Sequence, residues 1–282
     1  MIITQSKEEI LKKITYFLIV AFIFTLSFTA CDEFFSSSLG SSRTIDPDKI
    51  PLMDDLRKGD LAKWKEPAVT KGNPELANAL VEKTKKVLGQ ETLSDKEKAD
   101  LIDFGVYFAV ESSGVGELIF KNAMGQLGNL ANADDLEDTL TTILEDIFND
   151  FASSGGPKAA NDIAAIAGTG IIFTGGDTPE FGKDYADIAK PGDVAEALIV
   201  LVLGELDEII DLSVKNWDGL LDKISVVGIT TETPKMVTVN DQSEEYQKEI
   251  ALAAYLNLIV TGGPKFDDNP VTSAIRDALI GN

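Results

Sequence analysis

From residue 51 to the C-terminus the apolar residues recur at helical spacing, and the polar residues between them read as helix starts and stops. Asn73-Pro74-Glu75 supplies an N-cap side chain, a proline at the first helical position and an acid in the first turn, and that helix runs to a stop at Gly89. Ser94 and Glu97 form a capping box for the next helix. Its Leu101, Ile102, Phe104, Val106, Tyr107, Phe108 and Val110 are apolar on nearly every side, which predicts burial, and it stops at Ser112-Ser113-Gly114. A glycine-spotted helix is expected from Glu117 to Leu130. Asp134 and Glu137 form a second box, opening a helix over 135–151. Leu136, Leu140, Ile143, Leu144, Ile147, Phe148 and Phe151 share one face of it, with Glu137, Asp138, Glu145, Asp146 and Asp150 opposite. That is an amphipathic helix lying on the outside of a core.

The stretch from Pro157 to Phe173 is rich in Ala and Gly, and small residues let helices approach closely, so a central helix is expected over 159–173. A short helix from Pro179, a capping box at Asp193 and Glu196, and a helix over 194–212 follow. The strand-like region is Ser225 to Val239, two β-branched runs around Thr233-Pro234 that read as a hairpin. Helices over 243–260 and 270–280 close the chain. The expected fold is all-α: stacked helical hairpins with one small β-hairpin near 225–239, and with the helices near 101–112, 159–173, 194–212 and 244–260 at the centre.

The N-terminal stretch has a different pattern. Ile14 to Ala30 carries no charge and follows a head containing Lys7, Lys12 and Lys13, the plan of a secretory signal. Its end, LSFTAC, resembles the lipobox of bacterial lipoproteins, in which signal peptidase II cuts before a cysteine that becomes lipidated. Thr29 and Ala30 match that pattern, whereas Phe28 stands where Leu, Val or Ile is usual. The resemblance implies a signal peptide over 1–30, a lipid attachment at Cys31, a lipid bilayer as partner, and a place in the cell envelope outside the cytoplasm. Residues 31–50, rich in Ser and Gly, then read as a tether to a helical domain over 51–282. Two other readings stand beside it: an uncleaved membrane anchor and an ordinary secreted protein.

Composition removes several kinds of chemistry. The chain of 282 residues has 25 basic and 47 acidic side chains, a net charge of −22, with arginine only at 43, 57 and 276. Nucleic acid is excluded as a partner, because phosphate binding needs clustered Lys and Arg. There is no histidine, which rules out Ser-His-Asp and Cys-His catalysis and every His-containing zinc site. Cys31 is the only cysteine, so no internal disulfide or cysteine-based metal site forms. No cofactor is expected. The acid pairs Asp54-Asp55, Asp134-Asp135 and Asp267-Asp268 lack the alternating spacing of a calcium loop, and the last two precede helices. GGPK occurs at 155–158 and again at 262–265, where helix stop, turn and helix start account for it. Three apolar segments, 101–114, 163–176 and 250–263, share similar endings, the pattern of a repeated helix-hairpin unit.

Two further resemblances bear on function. NPELANALVEKTKKVL followed by LIDFGVYFAV is similar to the start of the helical T-component lipoproteins associated with TRAP transporters. That implies tetratricopeptide-like helix pairs and a role as a transporter accessory; the lipobox, the helical caps and the lack of a catalytic constellation lead to a non-enzymatic protein that binds a protein partner or solute in an inter-helix groove. Glu111-Ser112-Ser113 followed by Ala123-Met124-Gly125-Gln126-Leu127 resembles the motif of lytic transglycosylases. That implies the alternative, a cell-wall glycan hydrolase in which Glu111 is the general acid/base. Neither resemblance identifies ligand-binding residues.

Overall fold

The structure is a computed structural model, and it describes residues 45–66, 73–114, 146, 149–209, 224–227, 236–239 and 246–280. The chain begins with a short 3-10 turn, Pro47–Lys49, followed by helix α1 (Leu52–Lys58) and a second 3-10 turn, Leu61–Lys65. Ile50 and Leu52 are already buried, so the chain joins the core here. Asp55 fastens this segment: its carboxylate accepts hydrogen bonds from Lys63 Nζ at 2.7 Å and Trp64 Nε1 at 2.8 Å.

Helices α2 (Pro74–Gln90) and α3 (Asp95–Ser113) form an antiparallel hairpin, started by the caps that the sequence predicts. Asn73 Oδ1 accepts from the Leu76 amide at 3.0 Å. Ser94 Oγ accepts from the Glu97 amide, and Glu97 Oε2 accepts from the Ser94 amide at 2.9 Å. Both bonds satisfy amides that have no partner within a helix. α3 then ends at Gly114, whose φ of 64° is the left-handed C-cap geometry.

Helix α4 (Gly156–Gly168) is the hub. It packs against α2, α3, α6 (Pro191–Ile209) and α7 (Gln247–Thr261). Ala159, Ala160, Ile163, Ala164, Ile166 and Ala167 are all buried. Two glycines on neighbouring helices make this possible. A Cβ on Gly105 of α3 would stand 2.7 Å from Thr84 Cγ2 and 3.0 Å from Ile166 Cδ1, and one on Gly204 of α6 would overlap the Ala160 methyl. Helix α7 is buried on all sides from Lys248 to Val260. Short α8 (Pro264–Asp267) and α9 (Pro270–Ile280) finish the domain, with Asn269 Oδ1 capping α9 through the amides of Val271 and Thr272, each at 3.1 Å.

The expected all-α class holds, as does the hairpin near 225–239: β3 (Ile224–Val227) pairs antiparallel with β4 (Met236–Val239). Phe104, Leu201 and Leu256, from three of the four expected central helices, are buried. The fourth is corrected. Residues 159–173 are not one helix, since α4 stops at Gly168 and Ile171–Thr174 form strand β1. Nor does a helix start at Pro179. Residues Thr178–Phe181 are strand β2, antiparallel to β1 with Phe173 opposite Pro179, and the short helix α5 (Lys183–Ile188) starts only after it. The cause is local: Ile-Ile-Phe-Thr favours extended backbone, and Gly175 and Gly176, at φ 63° and 99°, turn the chain back. The ending of segment 163–176 is therefore a hairpin turn, unlike the helix stops at 114 and 262, which weakens its likeness to the other two. The helix expected over 117–130 and all but the end of the one over 135–151 lie outside the described residues; Phe151, in the last helical turn before α4, is fully buried.

Overpacking at the hub is measurable. Gly204→Val should destabilise the domain by about 2–3 kcal/mol, lowering Tm by roughly 5–10 °C. Gly89→Ala, in the open near the end of α2 with nothing within 4 Å, should instead gain up to about 1 kcal/mol. Thermal melts of the two variants check both signs.

Candidate functional site

The described surface has one seam where polar chemistry gathers, between α3 and the start of α6. Asp103, Tyr107 and Glu111 follow each other at intervals of four residues, which puts them along one face of α3. Facing groups come from Asp193 and Glu196 on the first turns of α6, and from Lys65 on the second 3-10 turn. Lys65 Nζ donates to Asp103 Oδ2 at 2.7 Å and lies 4.7 Å from the centre of the Tyr107 ring. The sequence reading of Asp193 and Glu196 as a helix-starting box is overturned here. Pro191 occupies the first helical position and the Val194 amide bonds to the Lys190 carbonyl at 3.0 Å, so both carboxylates fall inside the helix.

The electrostatics of the seam follow from that placement. Burial pushes Glu196 up to about 7, and the charges of Asp193 and Glu111 push in the same direction. Burial also raises Asp193, with Asp103 adding to the effect while Lys65 and Lys190 oppose it. Behind the seam, Tyr185 and Tyr255 are buried with their hydroxyls 3.3 Å apart, and burial raises both phenols far above their ordinary range. A half-buried carboxyl that keeps its proton near neutrality beside an exposed carboxylate, Glu111, is able to donate a proton.

The residues singled out in the sequence lie as follows. Glu111 is exposed in the last turn of α3, and its neighbours serve the helix end: Ser112 Oγ donates to the Ala109 carbonyl at 2.8 Å and Ser113 Oγ to the Val110 carbonyl at 2.5 Å. Cys31, Asp134, Asp135 and residues 123–127 lie outside the described residues. Both GGPK segments are helix starts, and both lysines work inside the fold. Lys158 joins Asp162 at 2.6 Å and Glu82 at 3.2 Å, with Lys85 on the other oxygen of Asp162 at 2.8 Å. Lys265 Nζ donates to the carbonyls of Ala186 and Asp187 at the end of α5. Asp267 pairs with Arg276.

Among the described residues, no cluster of His, Cys, Asp and Glu is arranged to hold a metal ion, and no helix is long and apolar enough to cross a membrane. An open depression of 240 Å³ lies elsewhere, over Asp48–Asp54 and Lys83. Asp103 and Lys65 escaped the sequence reading; the four-residue spacing of Asp103, Tyr107 and Glu111 was the available signal. No protein-family model matches the chain, and neither does any curated protein or any solved structure.

The raised position of Glu196 fixes the sign of a pH effect. A carboxyl whose folded pKa lies above its unfolded one stabilises fully below the ordinary glutamate range, and that stability is lost as pH rises through about 7. Glu196→Gln should therefore be more stable than the parent at alkaline pH by about 2 kcal/mol, and should flatten the decline between pH ~5 and pH ~8. Urea unfolding at both ends of that range is the check; parallel pH profiles for the two proteins would refute the assignment.

Proposed function

We propose that this protein is a lipid-anchored, extracytoplasmic helical lipoprotein that binds a protein partner or a solute between its helices and performs no chemistry of its own. The observation that carries the reading is the N-terminal run: Lys7, Lys12 and Lys13, then an uncharged segment over 14–30, then LSFTAC with the only cysteine of the chain at its end. A helical domain reached through a Ser-rich stretch suits a binding module held at a bilayer. The α2–α3 hairpin, where the sequence resembles the T-component lipoproteins, supports an accessory role beside a transporter. A chain without histidine, whose single cysteine is consumed by acylation, has few nucleophiles to offer.

A second reading, hydrolysis of cell-wall glycan, is favoured by one observation: Glu111 acts electrostatically on Glu196, which keeps its proton to about 7. In this reading Glu196 would supply the proton and Glu111 the second carboxylate of the pair that glycoside hydrolysis uses.

Two experiments separate these readings. Cys31→Ser should abolish incorporation of labelled fatty acid and leave the unprocessed precursor; a Ser variant that labels and fractionates like the parent overturns the anchor. On purified cell wall, parent and Glu111→Gln should release glycan fragments equally, at the background rate. Loss of release by about 100-fold or more in the Gln variant would instead establish the hydrolase.

A further inference from the structure

We draw no further inference here: the strongest candidate, the surface patch of exposed Ile172 and Phe173 on the β1–β2 hairpin, carries none, because nothing in the structure shows what covers it.

Discussion

The close approach of α3 and α6 to α4 is the constraint on which the rest of the structure depends. α4 offers alanines at 159, 160, 164 and 167, and its neighbours answer with Gly105 and Gly204 at the contacts. Neighbouring helices that meet through small side chains come close enough for a single short helix to be shared by four others. The cost is that α4 itself buries little apolar area per residue, so the large side chains must come from around it. Phe104 and Phe108 on α3, edge to face with ring centres 4.9 Å apart, and Tyr255 on α7 supply them. Close packing of this kind leaves little tolerance: an added methyl group at a glycine contact has nowhere to go.

The scarcity of cations decides where charge is buried. With 25 basic side chains against 47 acidic ones, several lysines are placed on buried or half-buried carboxylates that join one element to another. Asp162, on α4, takes Lys158 from its own helix and Lys85 from α2; Asp55 takes Lys63; Asp103 takes Lys65 across to α3. A buried carboxylate needs such partners, since leaving it charged and unpaired costs several kcal/mol. Glu196 has Asp193 and Glu111 as its charged neighbours and meets the same requirement differently, by holding its proton. The Glu196 side of the seam is thus sensitive to pH because Lys65, the lysine on this seam, is paired with Asp103.

Legibility in the sequence followed the range of the interactions. The starts at Asn73 and Ser94 depend on contacts within four residues, and each is found where the side chain predicted it. Burial of α3 and α7 was legible too, because a helix with no broad polar face has to be enclosed. The β1–β2 hairpin was not, since the apolar run passes from Ala-rich helix into Ile-Ile-Phe without a charged residue to mark the change. Short apolar runs have no period that separates strand from buried helix. Asp193 and Glu196 have the spacing of a capping box, and only the position of Pro191 tells that they belong inside α6. The candidate seam needed tertiary information: nothing local brings Lys65, Asp103 and Glu196 together from three separate elements of the chain.

Three further joints share a direction. Lys86 with Asp48, Arg57 with Glu97, and Asp184 with Lys96 all sit where α2 ends and α3 begins, whereas Glu111 and Gly114 mark the opposite end of α3. The domain is therefore polar in the geometric sense. The N-terminal segment and the β1–β2 hairpin occupy one end, and the acidic seam runs from Asp103 toward the other.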